Sequence, residues 1–244
     1  SIYLGGAGQD EVRAIAAVEG EEWLVAGITN SSDFLTTAEA YQGKVAGSDD
    51  GFVMRMRVGG GGVAWSTVAG TTLQDRVLAM AVEPSGRILL AGSTNSAAFP
   101  VSRTAAVQWT NLGGVEGFVA ELEADGKTLP FATYLGGSGN DAVQAVVLDT
   151  EGNPVLAGQT CSADLAVTEG SFQPAAGGRC NGFVMRLDMA APTPERHAPR
   201  VDAVSGYFGN TAWINPGSVF QMIGENLARS QASASARSRC RVSS

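Results

Sequence analysis

The sequence contains very little histidine and cysteine. Its 244 residues include one histidine and three cysteines. The histidine, His197, lies in a proline-rich stretch, so the rest of the chain has no histidine for a catalytic triad or a multi-histidine metal site. A Gly-x-Ser-x-Gly motif and a phosphate-binding loop are also missing. No catalytic constellation is recognisable, which favours a non-catalytic protein.

Charged residues are scarce as well, and their balance is acidic. They make up 16% of the chain, with 24 Asp and Glu against 16 Lys and Arg, a net charge of -8. Such a chain has no sequence-wide positive field for nucleic acid or for an anionic membrane surface. No apolar run approaches the roughly 18 residues that a membrane-spanning helix needs. We therefore expect neither a nucleic-acid partner nor a membrane span.

Glycine is abundant, with 32 residues, and many glycines belong to a threefold repeat. Each copy opens with a turn and an aspartate, continues with Ala-Gly-x-Thr, and closes with Gly-Phe-Val. The glycines of the middle motif, Gly27, Gly92 and Gly158, lie 65 and 66 residues apart. A fixed period of this kind indicates an array of one supersecondary unit.

The repeat unit reads as four short antiparallel strands. In the third copy, residues 142–148, 154–157 and 182–188 are apolar or alternating runs separated by turn residues. The fourth strand is clearest between copies, at 129–135 and 63–68, with a counterpart at 2–4. The long loop between the second and third strands keeps an apolar residue and a glutamine in each copy, so we expect it to pack over its own sheet.

The runs 134–141 (YLGGSGND), 152–153, 157–158 and 182–184 resemble the bacterial SBBP-type β-propeller repeat. The resemblance covers residues 1–190 in three copies, about 1–64, 65–130 and 131–190. It implies an all-β partial β-propeller with three four-stranded blades of about 65 residues each. It also implies an exported bacterial protein, extracellular or at the cell surface. The second copy departs from the pattern, because Thr71 and Thr72 stand within the expected glycine turn.

The remaining sequence predicts other segments. Residues 191–200 read as a proline-rich linker. Residues 201–228 resemble the opening of an Ig-like bacterial C-terminal domain, here a short β stub, and 229–244 read as a disordered tail. The chain starts within a repeat and carries no signal peptide, so we expect a portion of a larger protein. Three blades make an open arc more favourable than a ring closed by the N-terminal strand, and the open blade edges are expected to pair with missing blades or another chain.

The run 136–141 also matches the Gly-Gly-x-Gly-x-Asp pattern of calcium-binding β-rolls. Such sites need tandem nonapeptides, whereas these copies lie about 65 residues apart. We therefore expect no cofactor and keep calcium as the alternative. The favoured interpretation is a turn in which glycine supplies positive φ and aspartate caps backbone N–H groups. A further alternative is an acidic ring of Asp10, Asp75 and Asp141 around a channel.

Cysteines appear in pairs only in the third copy, where Cys161 and Cys180 stand at the two ends of its long loop. They predict a disulfide that pins this loop and favours an oxidising compartment; two unrelated free thiols are the alternative.

Residues that break the repeat are candidates for a binding site on the loops. The second copy alone contains Trp109, Arg103 and Glu116, and an exposed aromatic ring there suits stacking on a sugar or a protein partner. We therefore expect a structural or adhesive scaffold of an exported bacterial protein that binds partners or glycans through its blade loops. The alternative is the propeller portion of an extracellular carbohydrate-active enzyme, a hydrolase or lyase.

Overall fold

The computed structural model describes residues 2–57, 61–102 and 106–189. These residues form eleven β-strands and no helix, so nothing in the described part could cross a membrane as a helix. The strands are β1 (Asp10–Val18), β2 (Glu22–Thr29), β3 (Asp50–Arg57), β4 (Gly62–Ala69), β5 (Asp75–Val82), β6 (Ile88–Thr94), β7 (Glu116–Leu122), β8 (Phe131–Leu135), β9 (Asp141–Leu148), β10 (Pro154–Thr160) and β11 (Asn181–Arg186). The prediction of an all-β chain is confirmed.

The strands form three antiparallel sheets in chain order. Sheet 1 is β1-β2-β3-β4, sheet 2 is β5-β6-β7-β8, and sheet 3 is β9-β10-β11. Sheet 3 thus has three strands where the sequence predicted four. Residues 2–9 form no strand, so the prediction of a strand at 2–4 is wrong for the single chain.

A β-bulge recurs in the first strand of every sheet (β1, β5 and β9, called here the inner strands), close to the glycine of the Ala-Gly-x-Thr motif. The register shifts between Val12 and Ala14 in β1, and corresponding shifts occur where β5 pairs with β6 and β9 pairs with β10. Near the bulge, a backbone carbonyl oxygen of this strand lies against the glycine of the second strand. A Cβ at Gly27 would lie 1.9 Å from the Glu11 oxygen, and one at Gly92 would lie 1.8 Å from the Arg76 oxygen. Only glycine fits there.

Apolar side chains are buried between successive sheets. One cluster joins Leu24 and Val53 of sheet 1 to residues of sheet 2 that include Val77 and Phe118. A second cluster joins sheet 2, through residues such as Val119, to Val143 and Leu156 of sheet 3 and their neighbours. Sheets 1 and 2, and sheets 2 and 3, are therefore held face to face by hydrophobic burial.

The long loops of the first two sheets are packed, as predicted. Phe34 lies with its ring centroid 4.7 Å from that of Phe52, and Phe99 lies 4.6 Å from Phe118. The repeated glutamine ties each of these two loops to the fourth strand of its sheet, called here the outer strand. Gln42 N–H donates to Thr67 Oγ1 at 3.0 Å, and Gln108 N–H donates to Thr133 Oγ1 at 2.9 Å. In sheet 3 the aligned Leu165 is only half buried.

The expectations for residues 191–244, namely the linker, the Ig-like stub and the tail, lie outside the described residues. The strands of the three sheets span 10–69, 75–135 and 141–186.

Candidate functional site at the loop end of the sheets

All the glycine-rich turns and all the long loops lie at one end of the sheets, called here the loop end. Antiparallel order brings together the start of the first and third strands and the finish of the second and fourth strands of a sheet. The turns at 5–9, 70–74 and 136–140 and the loops at 30–49, 95–115 and 161–180 join those strand ends. The repeated aspartates begin β1, β5 and β9 at this end, and Glu116 begins β7 there.

The turn before β1 is held by side-chain oxygens that accept its successive backbone N–H groups. Gly6 N–H donates to Asp10 Oδ2 at 2.8 Å, and Ala7 N–H donates to Asp33 Oδ1 at 2.8 Å. Gly8 N–H donates to Ser31 Oγ at 2.8 Å. Burial alone would raise the pKa of Asp10, but the hydrogen bonds from Thr29, Gly6 and Ser31 together lower it. The carboxylate is thus stabilised in its charged form.

The turn before β9 repeats this arrangement. Gly137 N–H donates to Asp141 Oδ2 at 2.9 Å, Ser138 N–H to Asp164 Oδ1 at 2.8 Å, and Gly139 N–H to Ser162 Oγ at 2.8 Å. The sequence prediction that the repeated aspartate caps turn N–H groups is confirmed by these bonds.

The glycines of these turns are required for space more than for backbone conformation. The predicted positive φ is found at Gly5 (153°) but not at Gly136, Gly137 or Gly139. A Cβ on Gly137 would lie 2.4 Å from Asp164 Oδ1, and one on Gly139 would lie 2.5 Å from the Cys161 carbonyl oxygen. The expectation of positive φ is therefore wrong for the third turn, where the accepting groups approach too closely for a side chain.

The turn before β5 keeps its aspartate but has fewer accepting groups. Thr71 donates to Asp75 Oδ2 through its N–H at 2.5 Å and through its hydroxyl at 2.7 Å. Gln74 N–H donates to Asn95 Oδ1 at 2.8 Å. Ala98 occupies the place of Asp33 and Asp164. The second copy therefore keeps Gly70 but has Thr71 and Leu73 in place of the other two turn glycines, and it lacks the aspartate that accepts the N–H of Ala7 or Ser138 in the other copies.

Two carboxylates meet at each junction between sheets. Glu116 begins β7 and Asp141 begins β9, and a Cβ on Gly136 would lie 1.9 Å from Glu116 Oε2 and 2.5 Å from Asp141 Oδ2. Both residues are buried, and Glu116 Oε2 and Asp141 Oδ1 have no hydrogen-bond partner among the described residues. Asp50 and Asp75 are the equivalent buried pair between sheets 1 and 2.

Burial raises the pKa of one carboxyl group in each pair. The pKa of Glu116 is raised to about 7, first by burial and then by the Asp141 charge, against the N–H donors of Leu112 and Gly113. Burial likewise raises the pKa of Asp50, and the Asp75 charge adds to it. Burial and the neighbouring negative charge therefore both favour the protonated form of Glu116 and of Asp50.

The candidate loop-binding residues are placed differently from one another. Trp109 lies on the long loop of sheet 2 and is 42% exposed. Glu116 is buried completely and accepts the N–H groups of Leu112 and Gly113, so a ligand on the loop surface does not reach it. Arg103 lies outside the described residues. Trp109 is thus the candidate that the structure leaves open to a ligand.

A small polar cleft of about 120 Å³ opens between sheets 1 and 2 at the loop end. Its wall includes Arg76, which donates to Asp49 Oδ2 from Nε at 2.9 Å, and Arg13, which pairs with Glu11 at 2.9 Å. Both arginines are therefore neutralised by neighbouring carboxylates. Among the described residues, no group of three or more His, Cys, Asp or Glu side chains is arranged to hold a metal ion.

Cys161 and Cys180 form a disulfide, as the sequence predicted. They close the long loop of sheet 3, 19 positions apart in sequence. In the first two copies the position of Cys161 holds Asn30 and Asn95, whose Oδ1 atoms accept the N–H groups of Gln9 and Gln74. The disulfide therefore stands where the other sheets have a hydrogen bond. A disulfide is compatible with an extracellular protein.

Sequence reasoning missed the accepting side chains of the turns, namely Ser31, Asp33, Ser162 and Asp164. The signal was present in the alignment of the copies, because Asp33 and Asp164 accompany turns of the sequence Gly-Gly-x-Gly and Ala98 accompanies a turn that lacks it. Neither a scan against protein-family models nor a search of curated proteins returned a match to this chain.

Proposed function

We propose that the chain is a portion of a β-propeller of the SBBP type that serves as a non-catalytic scaffold of an exported bacterial protein. In this proposal the sheets provide a rigid frame, and the variable loops at the loop end bind a protein or glycan partner. The observation that carries the proposal is that the repeated polar residues bind one another. In each copy the aspartate accepts a backbone N–H group of its own turn, so these repeated residues stabilise the fold.

Recognition then falls to residues that differ between copies. Trp109 is the large aromatic side chain that stands exposed on the loop of sheet 2, and indole rings stack on sugars and on apolar protein surfaces. The carboxylate pair of Glu116 and Asp141 does not favour the carbohydrate-active enzyme, because both side chains lie beneath the turn and are almost completely buried. Trp109 therefore carries the proposed contact.

The test is a glycan array followed by calorimetry on the wild type, Trp109→Ala and the control Val107→Ala. Val107 lies two residues away on the same loop and is also exposed. We expect a glycan or protein ligand whose affinity falls about 10- to 100-fold in Trp109→Ala, the range of a central aromatic contact. Unchanged affinity in Trp109→Ala, or the same loss in the control, contradicts the proposal.

A further inference from the structure

The two ends of the array expose the faces that the internal junctions bury. At the junction of sheets 1 and 2, Val53 and Val77 are 0% and 1% exposed, and at the next junction Val119 and Val143 are both 0% exposed. The aligned residue on the last sheet, Val184, is 79% exposed, and the aligned residue on the first sheet, Val12, is 50% exposed. Ile15 and Val147 extend these two faces and are also exposed.

The internal junctions share one close contact. A Cβ on Gly51 would lie 2.5 Å from Val77 Cγ2, and a Cβ on Gly117 would lie 3.2 Å from Val143 Cγ2. A valine of each following sheet therefore sits in the space left by a glycine of the preceding one. At the aligned Gly182, the Gly158 oxygen at 3.8 Å is the one atom of the described chain within 4 Å. This slot is open, and Val12 is the aligned valine.

A backbone bond accompanies each contact. Asp75 N–H donates to the Asp49 carbonyl across the first junction at 2.7 Å, and Asp141 N–H donates to the Val115 carbonyl across the second at 2.7 Å. The aligned groups at the two ends are the Asp10 N–H and the Cys180 carbonyl. The ends thus carry the donor and the acceptor of one further junction of the same kind.

In the part of the chain that the structure describes, sheet 3 also lacks an outer strand, and residues 2–4 have the sequence of one. In sheet 2, Tyr134 of that strand pairs with Phe118, and its hydroxyl donates to the Ser96 carbonyl at 2.7 Å. The aligned tyrosine, Tyr3, is fully exposed and belongs to no strand. Its places on sheet 3 would be beside Phe183 and the Ser162 carbonyl, which are the aligned residues.

We propose that the exposed face of sheet 3 that carries Val184, together with the free edge of β11, binds the N-terminal region of a second copy of this chain. Residues 2–4 of the second copy add the fourth strand to β11, with Tyr3 opposite Phe183. Its β1 then covers the face of Val184, with Val12 in the slot of Gly182 and Asp10 N–H bonded to the Cys180 carbonyl. The connection from outer strand through turn to inner strand is the one that joins β4 to β5 and β8 to β9 within one chain.

The contact is head-to-tail, so it must either close or propagate. Closed rings of such sheets hold four to eight of them, and the described residues of each chain, 2–57, 61–102 and 106–189, form three. Two copies give six sheets, and three copies give nine, which lies outside that range. We therefore infer a symmetric dimer in which both junctions form, a conclusion that does not depend on the proposed scaffold role.

The first test is the mass of the full chain in solution, by light scattering and native mass spectrometry. At about 100 μM, a dimer with a micromolar Kd is almost completely formed, so we expect a mass twice the 25.0 kDa of a single chain. At about 10 μM, Val184→Glu and Val12→Glu should each give close to the single-chain mass while the wild type stays mostly dimeric, with Kd raised at least about 100-fold, because each buries a charge in an apolar junction. Val107→Glu is the matched control, since this exposed valine lies on neither end face.

Mixing separates head-to-tail contact from any other. Val184→Lys and Val12→Glu chains, each monomeric alone, should form a dimer together, because one junction is then native and the other pairs opposite charges. Val184→Glu mixed with Val12→Glu places two negative charges in one junction and should stay monomeric. Tyr3→Ala should weaken the wild-type dimer without lowering the melting temperature of the Val184→Glu monomer.

Several results overturn the proposal. A wild-type chain that remains monomeric at that concentration shows that a second copy does not cover these faces. A dimer that survives Val184→Glu and Val12→Glu uses another surface. Filaments, or a mass above that of two chains, rule out the six-sheet ring. Circular dichroism of each variant must show the native β spectrum, and a variant that fails this check is replaced by threonine at the same position.

Discussion

Sheets 2 and 3 carry nearly the same sequence in their third strand but bury it to very different extents. Every residue of β7 (EGFVAEL) is buried, whereas β11 (NGFVMR) alternates between half-buried and exposed residues. Val119 is enclosed by sheet 3 on one side, while Val184 faces no following sheet. Full burial of a valine contributes about 1.5–3 kcal/mol. The same strand is therefore a core element in one place and an edge in another, because burial depends on what lies against it.

The long loops show the same contrast. In sheet 2 the loop is tied to the outer strand β8, through Gln108 and Thr133 and through the Tyr134 hydroxyl. Among the described residues, sheet 3 has no outer strand to hold its loop, and Phe172 on this loop is fully exposed. Here Cys161 and Cys180 close the loop covalently. The disulfide thus supplies, at the open end, an ordering that the outer strand supplies elsewhere.

The largest effect that breaks the comparison is expected from truncating the aligned phenylalanines. Phe118→Ala should lower the free energy of unfolding by about 3–5 kcal/mol, because the ring is packed in the cluster between sheets 1 and 2. Phe183→Ala should cost less than about 2 kcal/mol, since Phe183 is half buried and leaves a smaller cavity. Urea unfolding measures both, in a Val184→Glu background that removes self-association. Equal losses would show that sheet 3 is as tightly packed as sheet 2.

A second experiment replaces the disulfide of sheet 3 with the residue types found at the same positions in sheet 2. Cys161→Asn with Cys180→Val should lower the free energy of unfolding by about 3 kcal/mol, the chain-entropy value for a loop of this length. Cys161→Ser with Cys180→Val should lose about 1 kcal/mol more, because asparagine restores the bond that Asn95 accepts from Gln74. Thermal unfolding with and without reductant measures these losses. If reductant leaves the wild type unchanged, the disulfide does not stabilise the loop.

Glu116 in the third strand of sheet 2 adds a pH dependence that the third strand of sheet 3 lacks, because Asn181 stands where β7 has Glu116. The pKa of Glu116 is raised to about 7 by burial. Its contribution is therefore fully present below the ordinary carboxyl pKa of about 4.3 and is lost as the pH rises through 7. Glu116→Gln should be more stable than the wild type by on the order of 2 kcal/mol at pH 8 and nearly equal at pH 4.5.

The glutamine keeps an oxygen for the N–H groups of Leu112 and Gly113 and adds a donor beside Asp141. Urea unfolding between pH 4.5 and pH 8.5 provides the measurement, and Glu169→Gln, on the exposed loop of sheet 3, is the control. A parallel pH profile in Glu116→Gln and the wild type would falsify the assignment.

Local patterns allowed much of this fold to be predicted. Strands 142–148 and 182–188, the packed loops and the aspartate caps follow from apolar runs, aligned phenylalanines and turn chemistry that act within a few residues. The disulfide could be predicted because both cysteines appear in one copy, at the two ends of one loop. A strand at 2–4 was predicted wrongly, because a strand forms only where a partner lies beside it.

The contacts between sheets could not be predicted from the sequence. Whether Glu116 is a ligand or a buried partner of Asp141 depends on how sheet 3 lies against sheet 2, and sequence spacing does not report that. Its burial removes it from the loop surface, where an exposed Trp109 remains. The turn acceptors Asp33 and Asp164 were missed because their bonds reach 26 residues along the chain.

The experiment with the smallest expected effect tests whether the stability of these turns depends on the presence of a fourth strand in their sheet. Asp33 in sheet 1 and Asp164 in sheet 3 accept the equivalent N–H at the same distance, 2.8 Å. Asp33→Ala and Asp164→Ala should each lower the free energy of unfolding at pH 7 by about 1 kcal/mol, the usual value of one such bond. The Ser138 N–H lowers the pKa of Asp164, so this stabilisation is present above about pH 3.9 and is lost as the pH falls through the lower folded value.

Urea unfolding at pH 7 and pH 2.5 measures both variants, with Glu169→Ala as the control on the same loop as Asp164. Equal losses at pH 7 would mean that the turn is stabilised locally, whether or not an outer strand is present. A much smaller loss in Asp164→Ala would mean that the turn of sheet 3 is already loosened by the missing strand. The difference between complete and incomplete sheets would then extend from the apolar face to the loop end.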